Sequence, residues 1–184
     1  MSKSYFYFTS SLPMIDFDSK QSLSVENFLQ DSERLLSQED FFLLRDLLIN
    51  SQGTVKTNNR TYNTWADFNR RFCNEMVWFR AEEAGKDPVE YIRGERYSDS
   101  YLVDIIHQAA KKKNLLEAEE MLDRVRWQFL EELSNGQYYN FEFIICYGLK
   151  LKILERHQEF TSPKGKAILD ELKTIEIMPD SSSV

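Results

Sequence analysis

Long apolar runs, glycine and proline are all scarce in this chain. The longest apolar run, Phe143–Leu149, has seven residues, and a bilayer-spanning helix needs about 18. Only 6 glycines and 4 prolines occur among the 184 residues, which is too few turn formers for an all-β sandwich. We therefore expect no direct membrane insertion and a fold made of helices.

Cysteine is almost as scarce, with two residues. Cys73 and Cys146 each lie inside an apolar helical pattern, so both thiols are expected to be buried and reduced, as in a cytosolic protein. Near the N-terminus, Pro13, Asp16 and Asp18 follow the first aromatic residues too soon for the apolar core of a secretory signal. These features predict a cytoplasmic protein.

Positive charge is in deficit. The chain carries 23 Lys and Arg against 30 Asp and Glu, a net charge of −7. A domain with this balance repels a phosphate backbone, because nucleic-acid affinity depends mainly on cationic side chains. We expect no nucleic-acid partner.

Aromatic residues are plentiful, with 13 Phe, 9 Tyr and 3 Trp. Many of them recur at helical spacing and can supply much of the burial free energy of a core. The clearest stripe steps by three or four residues; its members are Trp65, Phe68, Phe72, Met76 and Phe79.

Polar residues that can cap helices precede several of these apolar patterns. Side chains of this type accept hydrogen bonds from the unpaired amides of a first helical turn; those found here are Ser24, Ser37, Thr64, Ser98 or Asp99, Asn114 and Asn140. The pattern predicts an all-α fold, a multi-helix bundle of about seven to eight helices. A short extended aromatic segment around Tyr5–Phe8 is expected to precede it.

The length suits one helical domain, residues 1–184. A polar, turn-rich stretch from Thr54 to Asn63 divides an N-terminal helical hairpin, residues 1–53, from a main bundle, residues 64–174. A last amphipathic helix is expected to start at Ser162-Pro163 and to carry Ala167, Ile168 and Leu172. Residues 178–184 have the composition of a flexible tail.

The stretch from Leu115 to Phe160 predicts two long helices joined by a turn at Gly136. The second helix opens with apolar residues on nearly every side, so Phe141–Leu149 is expected to be buried all round. From Lys150 onward, charged residues indicate that the helix emerges toward solvent. We therefore select Glu142, Lys150, Lys152 and Arg156 as candidate partner-binding residues.

Patterns that would indicate catalysis are weak. The glycines are scattered and form no phosphate-binding loop. A di-iron carboxylate bundle needs two Glu-x-x-His motifs, and the nearest match is a single Asp104-x-x-His107. We predict no enzyme activity, and assign no catalytic, cofactor-binding or metal-binding residues. A carboxylate-bundle metal-binding enzyme and a stand-alone helical adaptor protein stay open as alternatives.

Two segments carry a family resemblance. The N-terminal YFYFTSSLPMIDFD and the later LDRVRWQFLEELSNGQYYNFEFIICYGLKLKILERH resemble a bacterial family that is encoded among the subunits of V-type (A/V-type) ATP synthases. The matching residues of the second segment are Trp127, Phe129, Leu130, Glu132, Leu133, Gly136, Tyr138, Tyr139, Tyr147, Leu149, Lys150, Leu151, Ile153, Leu154, Glu155 and Arg156.

The second long helix is also distantly similar to central helices of the C/d subunit of rotary ATPases, an all-helical funnel that seats the central stalk on the membrane rotor. It departs from that pattern at Cys146–Lys150, and the chain is much shorter. The resemblance implies a non-enzymatic accessory protein or a reduced relative of the C/d subunit. It would bind V-type ATP synthase subunits in the cytosolic or stalk sector, and would be cytoplasmic or peripheral at the inner membrane through that complex.

Overall fold

The computed structural model describes residues 5–19, 23–50 and 53–162, and this part of the chain is a helical bundle without strands. Its helices are α1 (Phe6–Ser11), α2 (Val25–Leu35), α3 (Gln38–Asn50), α4 (Arg60–Glu83), α5 (Ser100–Ala110), α6 (Leu115–Ser134) and α7 (Phe141–Thr161), with a 3₁₀ turn at Pro88–Glu90. The predicted all-α, multi-helix class is confirmed. The helix expected after Ser162-Pro163 and the tail at 178–184 lie outside the described residues.

The aromatic N-terminal segment is present, but it is a short helix rather than an extended arm. The hydroxyl groups of Thr9 and Ser11 donate hydrogen bonds to carbonyls one turn back, which supports a helical turn. Phe8 is buried and stacks on Phe28 of α2 with the ring centroids 5.9 Å apart. A four-residue aromatic run is too short for its period to distinguish these conformations.

Most helices begin where the capping residues predicted. The side chains of Ser24, Asp99, Asn114 and Asn140 accept hydrogen bonds from amides of the first turns of α2, α5, α6 and α7. The start of α4 is the exception. It lies at Arg60 instead of Thr64, because Asn59 accepts a 2.8 Å hydrogen bond from the Tyr62 amide and caps the helix earlier.

Helix α7 lies at the centre of the bundle and packs against α2, α3, α4 and α6. The predicted burial of Phe141–Leu149 is confirmed for all its residues except Glu142 and Phe143, which are half-buried. Close approach of α2 and α3 requires Gly148, since a Cβ atom there would lie 2.7 Å from Phe28 Cε1. The hairpin of α2 and α3 is thus packed directly on α7, and the proposed subdivision of the chain stays a prediction.

Cys146 is buried as expected, and burial raises the pKa of its thiol to about 12. Cys73, in contrast, is exposed, so its predicted burial is wrong. The next two positions of α4 are buried instead because both side chains bind the chain after the 3₁₀ turn: Asn74 exchanges two 2.9 Å hydrogen bonds with the backbone of Arg93, and Glu75 binds Arg96.

Within the described ranges, no helix combines the length and the apolar character that crossing a bilayer would require.

Candidate interaction surface

Lys150, the first cation of α7, lies against α6. Its ammonium nitrogen is 4.9 Å from the centroid of the Trp127 ring and 3.7 Å from a carboxylate oxygen of Glu131. The indole N–H of Trp127 donates a 2.9 Å hydrogen bond to the same carboxylate. Only 14% of the Lys150 side chain is exposed, and this burial lowers its pKa. The residue therefore fastens α7 to α6.

Lys152 points to the opposite neighbour, α3. Its ammonium group donates a hydrogen bond to the backbone carbonyl of Leu48 near the C-terminus of that helix. A cation is favourable at this end, where the carbonyl groups have no helical partner. Burial lowers the pKa of Lys152, and the contact fixes α3 on α7.

Arg156 is part of a four-charge cluster between α6 and α7. It donates hydrogen bonds to Asp123 and, over 3.3 Å, to Glu119. Asp123 is 2% exposed and also accepts a 2.9 Å bond from Arg126, whose guanidinium lies 4.1 Å from the centre of the Phe72 ring. Two guanidinium groups thus compensate one buried carboxylate, as a buried charge requires.

These contacts change the expectation for Lys150–His157. Leu151, Ile153 and Leu154 are all buried, so α7 does not emerge toward solvent at Lys150. Its exposed residues begin at Gln158. The expected emergence is wrong, because the three cations alternate with core residues and each reaches a partner on a neighbouring helix. Partner binding by Lys150, Lys152 and Arg156 stays a prediction, and each would have to bind through a side chain that already holds the bundle.

Glu142, the fourth candidate, lies at the other end of α7 in its first turn. The positive end of the helix dipole stabilises a carboxylate there. Fourteen residues separate it from Arg156, or about 21 Å at the helical rise of roughly 1.5 Å per residue. The structure therefore does not bring the four candidates together into one site.

Four exposed aromatic rings lie on α1 and on the turn between α6 and α7, and we call them the aromatic patch: Phe6, Tyr7, Tyr138 and Tyr139. Their exposed fractions are 49%, 89%, 63% and 50%. The Phe6 ring centroid lies 4.8 Å from that of Tyr139 and 5.7 Å from that of Tyr7. The patch joins α1 to the turn between α6 and α7.

Hydrogen bonds from Tyr5 tie α1 both to the α6–α7 turn and to α3. Its backbone amide donates to the carbonyl of Tyr139 over 2.6 Å, and its hydroxyl donates to the carboxylate of Asp40 at the start of α3. Burial, and then the bond to Asp40, raise the pKa of the Tyr5 hydroxyl. The sequence contained both aromatic runs, but their meeting depends on a contact between residues 134 positions apart.

A cavity of about 260 Å³ opens next to the segment that follows α1. The residues around it come from that segment and from the facing ends of α6 and α7: Leu12, Pro13, Met14, Ile15, Ser134, Phe143, Cys146, Tyr147 and Lys150. The hydroxyl of Tyr147 donates a 2.8 Å bond to the carbonyl of Pro13. The cavity therefore lies between α7 and the segment that Tyr147 holds in place. Its lining is mainly apolar.

Two further ionisable side chains of the described chain, His107 and Glu75, lie against neighbouring side chains. No group of three or more His, Cys, Asp or Glu side chains in residues 5–19, 23–50 and 53–162 could hold a metal ion. His107 is exposed and makes an edge contact with Phe79, whose ring lies 5.0 Å away. The buried Glu75 carboxylate accepts two bonds from Arg96, of 3.0 and 2.7 Å.

Comparison with known families finds one similarity. Residues 97–176 match the model of a family described as a protein of unknown function (DUF2764). This match covers α5, α6 and α7 and continues past the described residues. No curated protein and no solved structure matches the chain with significance.

Proposed function

We propose that this protein is a non-enzymatic helical component of a bacterial V-type ATP synthase, either an accessory protein or a reduced relative of the C/d subunit. It acts by binding other subunits of the cytosolic or stalk sector. Its own membrane association is then peripheral and comes from the complex.

The observation that carries this proposal is the resemblance of the α6–α7 stretch to the family encoded with such synthases. The stretch lies inside the residues that match a single family model. Its charged residues are used between helices, as in the contacts of Lys150 and Arg156 with α6. Polar contacts that fix the positions of α6 and α7 in this way are suited to a protein that presents a rigid surface to a partner.

The test is affinity purification of the tagged chain from membranes of its own cells, after mild cross-linking to retain weak complexes. Quantitative mass spectrometry compares the recovered proteins with those from cells that express the tag alone. We expect at least about tenfold enrichment of V-type ATP synthase subunits. Recovery of a folded tagged chain without such enrichment would reject the proposal.

A stand-alone helical adaptor is the second candidate, and the aromatic patch favours it. Exposed contiguous aromatic surface is typical of protein-binding sites in general, and it does not require a rotary ATPase as the partner. In that case the purification recovers a different protein at constant stoichiometry from both membrane and soluble fractions. Gene disruption followed by assay of proton-coupled ATP synthesis separates the two, because only the first proposal expects a defect.

A further inference from the structure

We propose that a groove between α5 and α6 is the docking site of the chain's own C-terminal segment, residues 163–176, which lies there as an amphipathic helix. The inference goes beyond the proposed function, because it concerns how the chain closes its own surface. It assigns one occupant to that surface, whichever protein the chain as a whole binds.

The groove is a surface depression of about 410 Å³. We call it the α5–α6 groove, and its lining includes Tyr101 and Ile105 of α5 and Glu117, Met121, Val125 and Gln128 of α6. Ile105 and Met121 are half-buried and Val125 is buried, whereas the polar residues at its edge are exposed. An apolar strip between polar edges suits the apolar face of an amphipathic helix.

The α6 residues of the groove form one face of that helix. Glu117, Met121 and Gln128 follow one another by four and seven residues, so they share a face. Glu119, two positions after Glu117, lies on the opposite side and accepts a bond from Arg156 of α7. The groove is therefore separate from the α7 contact, and from Glu117 to Gln128 it is about 16 Å long, or three helical turns.

Residues 163–176 lie outside the described residues, but their sequence has the pattern of an amphipathic helix. Ile168, Leu172 and Ile175 recur by four and three residues, and Lys166 and Lys173 fall on the opposite side of a helix. A helix of this length is only marginally stable in water by itself. Its apolar stripe therefore needs a surface to pack on.

Ser162, the last described residue, has the backbone geometry with which a new helix begins. Its φ of −63° and ψ of 155° are extended, as in a residue that caps a helix N-terminus. Pro163 follows, and proline is favoured at the first position of a helix. Because the residue before a proline disfavours the helical conformation, the same pair ends α7 and lets the next helix take a new direction.

The end of α7 lies within reach of the groove. Arg156 binds Glu119 near the start of α6, and Thr161 lies five residues further, about 8 Å along the helix. The link from Ser162 to Lys166 spans at most about 14 Å, and α6 with its side chains is about 10–12 Å across. The chain is therefore long enough to pass round the start of α6 and then follow the groove.

The family match places the groove and the segment in one unit. It begins at residue 97, shortly before α5, and ends at residue 176, directly after Ile175. It therefore includes both groove helices and the whole apolar stripe of the segment.

The short link decides between the possible occupants. A segment tethered by a few residues is present at the groove at an effective concentration on the order of millimolar. A helix of a second copy or of another protein, at micromolar concentration, competes poorly with it. The chain's own segment is thus the favoured occupant.

The test is paramagnetic NMR of the full chain with labelled isoleucine and methionine methyl groups. A spin label is attached at Lys173→Cys, on the polar side of the segment, in a chain whose exposed Cys73 is replaced by serine. With the reduced label as the reference, we expect broadening of the Ile105 and Met121 signals. The signal of Ile49, which is exposed on α3, should stay sharp.

Two further variants of the labelled chain test the apolar stripe. Ile168→Ser/Leu172→Ser should abolish the broadening, because it removes the side chains that would pack in the groove. The matched Lys166→Ser/Asp170→Ser change, on the polar side and equally neutral in net charge, should retain it. Circular dichroism checks that both variants fold.

Three results would overturn the inference. The first is a labelled chain in which the signals of Ile105 and Met121 stay sharp. The second is broadening that survives Ile168→Ser/Leu172→Ser. The third is equally strong broadening when the spin label and the labelled methyl groups are on different chains, which would assign the groove to a second copy.

Discussion

The hydroxyl group of Tyr62 donates a hydrogen bond to the carboxylate of Asp46, and both side chains are buried between α3 and α4. The same carboxylate accepts a 2.7 Å bond from Asn50 and bonds from the amide and hydroxyl of Thr54. The Tyr62 oxygen in turn accepts a 2.9 Å bond from the Val55 amide. One buried acid thus organises the connection between the two helices.

Removal of the Tyr62 hydroxyl tests the strength of this contact. In Tyr62→Phe the buried carboxylate of Asp46 loses one donor and the Val55 amide loses its acceptor, so we expect a loss of about 1–3 kcal/mol in the free energy of unfolding. Urea denaturation measures it. The control is Tyr97→Phe, which removes an exposed hydroxyl bonded to Glu95 and should change stability by less than about 0.5 kcal/mol.

The dependence of stability on pH should also reflect the contact between Asp46 and Tyr62. Burial alone would raise the pKa of Asp46, but the bonds from Tyr62, Asn50 and Thr54 outweigh it and lower that pKa. The contribution of Asp46 to the free energy of unfolding is therefore fully present above its ordinary pKa of 3.8. It is lost as the pH falls through the lower pKa that Asp46 has in the folded protein. Burial, then Asp46, raise the pKa of Tyr62 from 10.0 to about 12, so its contribution is present below pH 10 and is lost as the pH rises toward 12.

Unfolding measured across both pH ranges checks this. Asp46→Asn should flatten the acid slope and reduce the alkaline one. A variant with unchanged slopes at both ends would show that the pair does not control the titration.

Gly148→Ala tests the closeness of α7 to α2 and α3. The added Cβ would lie 2.7 Å from Phe28 Cε1 and 3.2 Å from Leu48 Cδ1, and overpacking of this kind costs about 1–3 kcal/mol. Higher helix propensity offsets about 1 kcal/mol, so a net loss of up to about 2 kcal/mol is expected in thermal or urea denaturation.

Phe28→Leu provides the matching change on the other side of that contact. Alone it should destabilise, but in the Gly148→Ala background it removes the colliding ring edge. The losses of unfolding free energy in the two single variants, added together, should therefore exceed the loss in the double variant. Simple additivity would mean that the bundle relaxes around the alanine without a collision.

Asp123→Asn tests the charge cluster between α6 and α7. The change leaves Arg126 and Arg156 without the carboxylate between them, and removing one partner of a buried pair costs on the order of 3 kcal/mol. Asp31→Asn is the matched control, because Asp31 is 53% exposed and 4.0 Å from Arg34, a geometry worth under about 1 kcal/mol. Equal losses in the two variants would contradict the central role of Asp123.

Thiol labelling separates the two cysteines. A thiolate reacts and a buried neutral thiol does not, so an aromatic disulfide reagent should modify Cys73 in the native protein and Cys146 only after unfolding. Cys73→Ser should abolish the native reaction, and Cys146→Ser should leave it unchanged. Two fast-reacting thiols in the native state would contradict the burial of Cys146.

Local signals in the sequence predicted much of the fold. Capping residues such as Ser24 and Asn114 act on amides within their own helix, and the stripe through Phe68 and Phe72 reflects helical periodicity. Both are properties of short windows of sequence. The start of α4 was missed because two capping residues compete there, and the buried Tyr62 favours the earlier cap at Asn59.

The candidate site was less predictable because its geometry depends on long-range contacts. Lys150 and Arg156 have the charge of solvent-exposed residues, yet each meets a carboxylate on α6, and no local pattern indicates that pairing. The aromatic patch likewise requires α1 to meet the α6–α7 turn. Composition shows the rings, but only the tertiary structure shows that they lie side by side.

The fastening of the N-terminal segment has a consequence for biosynthesis. The amide of Tyr5 and the carbonyl of Pro13 find their partners on Tyr139 and Tyr147, more than 130 residues later in the chain. During translation the first residues to leave the ribosome must therefore wait until α7 has been made before they reach their final contacts. The aromatic patch joins Phe6 and Tyr7 to rings more than 130 residues later, so it can form only after the α6–α7 turn has left the ribosome.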